Sequence, residues 1–84
     1  MKRKEVYEVL DSERDYQDLR WGDVHANDYK SYPPSQFCVD FRKIINDLEL
    51  SCYHMNKIVT SDCIRKIGAL AVKYGEVHGM NKRV

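Results

Sequence analysis

Phe37-Cys38-Val39-Asp40-Phe41-Arg42-Lys43-Ile44-Ile45-Asn46-Asp47-Leu48-Glu49-Leu50-Ser51-Cys52-Tyr53-His54-Met55 is the stretch that decides the fold. Phe37, Phe41, Ile44, Ile45, Leu48, Cys52 and Met55 recur mostly at intervals of three and four, the spacing that puts side chains on one face of an α-helix. The pattern predicts a helix over 35–57 whose stripe forms the bulk of the core. Pro33 and Pro34 suit a helix start, and Ser35 offers an N-cap oxygen. Arg42, Asn46, Glu49 and Asn56 form the solvent face. Val39, Leu50 and Tyr53 interrupt that face and offer a subunit contact.

Two further helices follow from the same reading. After a short turn at 58–60, residues 61–78 read as a helix with Thr60 or Ser61 as cap, Asp62 in the first turn and Gly79 as the stop. Ile64, Ile67, Gly68, Ala71, Tyr74, Gly75 and His78 share a face, which Cys63, Leu70 and Val77 widen to about half the circumference. One neighbouring helix does not cover that width, so a second subunit is the expected occupant. Gly68, Ala71 and Gly75 make a line of small residues suited to close approach. Residues 3–21 lack Gly and Pro and read as the first helix, stopped by Gly22. The connection between the second and third helices is short, so they form an antiparallel hairpin. The expected architecture is all-α: a three-helix unit in one domain spanning 1–84, assembled as a homo-oligomer.

The first helix carries an anomaly. At about 100° per residue, Val6, Leu10, Glu13, Gln17 and Trp21 share one face, with Val9 and Arg20 at its edge. The second half of that face presents a carboxylate, an amide and a guanidinium beside an indole. Such groups cost roughly 2–7 kcal/mol each to bury without a partner. They must therefore satisfy one another, meet water in a cleft, or meet a ligand. Residues 22–34 form the one long connection, longer than the usual helix–helix loop. Tyr29 and Tyr32 in it either stack on a planar ligand or cover the end of the bundle.

Composition narrows the function classes. The 84 residues are 43% hydrophobic and 32% charged, as in a folded domain. The net charge is +1, which implies no DNA or RNA polymer as partner. The positive excess sits at the C-terminal end, where residues 60–84 hold five Lys and Arg against two Asp and Glu. No apolar run approaches the roughly 20 residues of a membrane span, and the first residues do not read as a signal peptide. A cytosolic chain with no membrane partner is expected. Cys38, Cys52 and Cys63 are odd in number and lack CxxC spacing, so neither a disulfide framework nor a zinc site is expected. No nucleophile elbow, P-loop or dinucleotide fingerprint is present. Asp40, Asp47 and Glu49 do not share a face, so paired carboxylates for magnesium are lacking on the second helix. The reading is of a protein without catalysis and without a cofactor. Arg14, Arg20, Arg65, Lys66 and Lys73 can contact phosphate, and Arg65 is the third-helix cation best placed for a pocket. Tyr16, Trp21 and Tyr74 can supply stacking faces, while Glu13 and Gln17 can read base or ribose edges. His78, on the apolar face, reads as a satisfied histidine of the last turn.

Glu13-Arg14-Asp15-Tyr16-Gln17-Asp18-Leu19-Arg20-Trp21-Gly22, together with Ile64-Arg65-Lys66-Ile67-Gly68-Ala69-Leu70-Ala71 and Glu76-Val77-His78-Gly79, resembles a group of short phage-encoded helical proteins. These open with an ER-Y-Q--RWG element and end in an IRK-containing helix followed by E-HG. The opening element is also similar to that of phage MazG-like all-α NTP pyrophosphatases, which carry an EExxE helix after the loop. Here that place holds Phe41-Arg42-Lys43-Ile44-Ile45-Asn46-Asp47. The resemblance implies nucleotide binding without magnesium-dependent hydrolysis, as in a phage anti-defence protein that sequesters a nucleotide-derived immune signal such as a cyclic oligonucleotide or an ADP-ribose derivative. The expected site comprises Glu13, Arg14, Tyr16, Gln17, Arg20 and Trp21 on one wall, with Arg65 and Lys66 opposite. The alternatives are a protein–protein inhibitor or scaffold of a host factor and, third, a reduced pyrophosphatase.

Overall fold

The computed structural model describes residues 1–21 and 32–83, with the Trp21 side chain left aside. Three helices account for it: α1 (Arg3–Trp21), α2 (Pro34–Tyr53) and α3 (Lys57–His78). The expected stop at Gly22 and the Tyr29 face lie outside the described residues.

α2 begins one residue before the serine read as its cap. Pro33 is the N-cap with no side-chain bond, and Pro34 occupies the first turn, where its fixed φ is already helical. Ser35 is therefore a helical residue. The junction with α3 also moves: α2 ends at Tyr53 and α3 starts at Lys57. Met55 adopts a left-handed φ of 55°. Asn56 then caps α3, its side chain accepting the Val59 N–H at 3.2 Å. Thr60 is not a cap. Its Oγ1 meets Ser51 Oγ at 2.8 Å, and Ser51 also donates to the Leu48 carbonyl. That hydroxyl pair knots the hairpin from inside.

This junction redraws the core stripe. Phe37 is 2% exposed, Phe41, Ile44 and Leu48 are half-buried, and the line continues to buried Ser51. Ile45 and Cys52 lie on the surface and Met55 is 86% exposed. Met55 lies beyond the end of the helix, whereas Ile45 and Cys52 sit within α2 on its exposed side. At the opposite end Phe37 meets Tyr32, Tyr74 and His78 edge-on, with ring centroids 4.5, 5.2 and 5.9 Å apart. His78 Nε2 donates to the Tyr32 carbonyl at 2.9 Å, so this histidine is satisfied within the last turn and Tyr32 covers the bundle end.

α3 is the central element. α2 packs along one side of it and α1 on another, while α1 and α2 scarcely touch. The wide apolar face of α3 is thus shared by two helices of the same chain, which removes the reason for assigning its width to a second subunit. Cys63, Ala69 and Leu70 are buried there. Leu10 of α1 seats on Gly68, where a Cβ would come within 2.6 Å of Leu10 Cδ2. Val6 and Val9 remain exposed, so the apolar half of the α1 face contributes little beyond Leu10.

Met55→Gly distinguishes the turn from a core position. In the left-handed conformation glycine relieves strain, so chemical denaturation should show unchanged or higher stability, by up to about 1 kcal/mol. A buried methionine would instead cost several kcal/mol on truncation. Gly75→Ala should also stabilise by about 0.5–1 kcal/mol through helix propensity. The added methyl there meets only the end of the exposed Met80 side chain. Gly68→Ala should lose that gain, because Leu10 must move.

Candidate functional site

Two ion pairs of opposite sense fix α1 on α3. Glu13, 7% exposed, accepts Arg65 Nε at 2.6 Å, and Arg65 reaches Asp62 at 2.8 Å with its next nitrogen. Arg14, 5% exposed, is bidentate to Glu76, with Nε at 2.8 Å and the terminal nitrogen at 3.2 Å. The same guanidinium donates to Gln17 and Asp18, each at 2.9 Å. Glu13 is thus satisfied by α3, as is Arg14, and Gln17 is satisfied by Arg14 within α1. The hydrogen bond from Arg14 holds the Glu76 carboxyl below the usual carboxylate range.

Because α1 and α2 stand apart, a cleft of about 940 Å³ opens between them with α3 as its floor. Glu13, Tyr16, Gln17 and Arg20 line it from α1. Lys43, Ile44 and Asp47 face them from α2, and Cys63, Arg65 and Lys66 rise from α3. The structure therefore brings together six of the residues expected at the site. Two expectations change. Arg14 does not line the cleft, because its guanidinium turns to Glu76. The wall opposite α1 is α2, and α3 around Arg65 is the floor. The Trp21 side chain lies outside the described residues.

Lys43 and Asp47 were not read as site residues. Their signal was present: Asp40, Lys43 and Asp47 lie three and four residues apart, a polar line beside the apolar stripe of α2. Lys43 and Lys66 line the cleft and make no ion pair with any described residue.

A smaller chamber of about 510 Å³ adjoins the cleft and shares Gln17, Lys43 and Ile44 with it. Asp40 accepts hydrogen bonds there from the Tyr32 hydroxyl and from Gln36 at 3.2 Å. Burial raises the Asp40 pKa, against the opposing charges of Lys73 and Lys43. Lys73 lies 4.3 Å from the centre of the Tyr32 ring. Burial, then the charge of Arg14, lowers its pKa. Among the described residues no three His, Cys, Asp or Glu side chains converge as a metal site, and no helix is long and apolar enough to cross a membrane. The groups that line the two spaces suit ionic and hydrogen-bonded recognition of a polar anion. No family model, curated protein or solved structure matches the chain.

The Arg14–Glu76 pair gives a pH test. A carboxyl with a lowered folded pKa contributes stability that is complete above its ordinary 4.5 and is lost as pH falls through the folded value. Asp40 acts in the opposite direction, since protonation relieves its burial. Denaturation midpoints between about pH 5 and pH 3 should therefore fall less steeply in Glu76→Gln than in the parent chain. At neutral pH that substitution should cost about 1–2 kcal/mol, below the 3–5 of a fully buried broken pair. Glu76 is half-exposed, and Asp18 and Gln17 continue to hold Arg14.

Proposed function

We propose that this chain binds and sequesters a nucleotide-derived small molecule in the cleft between α1 and α2, as a phage anti-defence protein would, without transforming it. The observation that carries this reading is the charge of the cleft. Arg65 is taken up by Glu13 and Asp62, and among the other lining residues Arg20, Lys43 and Lys66 stand against Asp47, in a chain whose overall charge is only +1. Its volume falls within the roughly 300–1,000 Å³ of ligand pockets. Tyr16 offers a ring face, and Gln17 an amide that can pair with a base or ribose edge. Lys43 stands within the stretch where the resembled pyrophosphatases carry carboxylates for magnesium. An ammonium there favours direct contact with phosphate.

Isothermal calorimetry of the purified chain with cyclic dinucleotides, cyclic trinucleotides and cyclic ADP-ribose isomers tests the proposal. Heat with at least one is expected, and none with all of them would sink it. Lys43→Ala and Lys66→Ala should each weaken binding about tenfold, near 1.4 kcal/mol, with unfolding midpoints unchanged. Arg65→Ala should lose stability as well, because it strands buried Glu13. Release of pyrophosphate from a nucleoside triphosphate with magnesium would instead make the chain an enzyme.

A second reading rests on the hairpin tip. Leu50, Tyr53, Met55 and Ile58 are 59–86% exposed within nine residues of sequence. Contiguous apolar surface of this kind marks protein contacts. A host factor captured in stoichiometric amount through this tip, by a chain indifferent to nucleotides, would support an inhibitor or scaffold. Light scattering against the 9.9 kDa monomer mass measures whether the chain also binds itself.

A further inference from the structure

The cleft and the chamber beside it repeat one chemical set. On α3, Lys66 belongs to the cleft and Lys73 to the chamber. They are seven residues apart, two turns along the same line of the helix and about 10 Å along its axis. On α2, Asp47 belongs to the cleft and Asp40 to the chamber, again seven residues apart. The two helices run antiparallel, so the spacings match in register: Asp47 lies at the level of Lys66, and Asp40 at the level of Lys73. Midway sit Lys43 and Ile44, which belong to both spaces, with Gln17 reaching in from α1. Between the two lysines on α3, Leu70 supplies the apolar floor of the chamber. Each space also holds a phenol, Tyr16 in the first and Tyr32 in the second.

We propose that the two spaces are one bipartite site for a dinucleotide-type ligand: two ring-bearing units, one in each lobe, joined through a phosphate-containing link that lies at Lys43. The inference rests on the nucleotide-binding reading above and specifies its ligand class. A single nucleotide fills one lobe and meets one α3 lysine. A two-unit ligand meets Lys66, Lys43 and Lys73 together and uses both carboxylates and both amides, Gln17 and Gln36, as partners for its ring and sugar edges.

The test compares a nucleoside monophosphate with the linear and cyclic dinucleotides of the same base, by calorimetry on the full chain. The dinucleotides should bind at least tenfold more tightly. Lys66→Ala and Lys73→Ala should each remove most of that advantage. Lys73→Met keeps the apolar stem over the Tyr32 ring and should do the same with the unfolding midpoint unchanged, which separates loss of recognition from loss of fold. Equal affinity for one-unit and two-unit ligands would overturn the bipartite site while leaving the cleft as a single-nucleotide site. So would a dinucleotide that binds Lys73→Met as tightly as the parent chain. Absence of heat with every nucleotide would overturn the nucleotide reading itself and this inference with it.

Discussion

Crossed ion pairs between α1 and α3 set the shape of this molecule. Glu13 binds Arg65 and Arg14 binds Glu76, so neighbouring residues of α1 grip α3 at points eleven residues apart, about 16 Å along its axis. Both α1 members are almost fully buried. Stripping Glu13 of Arg65 leaves a carboxylate in a place that water hardly reaches, whereas Arg14 keeps Asp18 and Gln17 when Glu76 is removed. Apolar packing does less for α1: Leu10 on Gly68 is its main seat, and Val6 and Val9 face outward. In most small bundles apolar burial chooses the neighbour of each helix. Here complementary charges hold α1 to α3, and α2 is left on the far side of a gap.

How much of this was legible in the sequence depends on whether the signal was local. The stripe Phe37, Phe41, Ile44 and Leu48 was legible because its spacing lies within one helix. The end of that helix was not, because Met55 continues the rhythm of the stripe past it. The true stop is a left-handed Met55 without glycine to announce it, followed by Asn56, whose capping oxygen looked like one more solvent residue. Ser51 was invisible for a different reason. A serine counts as polar in any pattern, and it is buried only because Thr60 satisfies its hydroxyl.

The site divides in the same way. That Glu13 needed a partner followed from its place on an inward face, whereas Arg14 lay outside that face in the pattern and its burial was not legible. Which partners the two take was not legible either, since Arg65 and Glu76 lie 52 and 62 residues away. The wide face of α3 was visible as width, but whether one chain or two would cover it depended on where α1 landed. Lys43 was readable on its helix as part of a polar line. It lines the cleft only because α1 stands off and leaves that line facing the gap.

A division between guanidinium and ammonium follows from these constraints. Arg14 and Arg65 sit where a planar fork can meet carboxylates with several bonds, and they hold the scaffold. The lysines line the open spaces. At Lys73 burial and then the fixed charge of Arg14 act against the proton, while Asp40, Asp18 and Glu76 act for it, and the balance lowers the pKa. The pair that ties Arg14 to Glu76 thus also sets the field around Lys73, the guanidinium acting against its proton and the carboxylate for it.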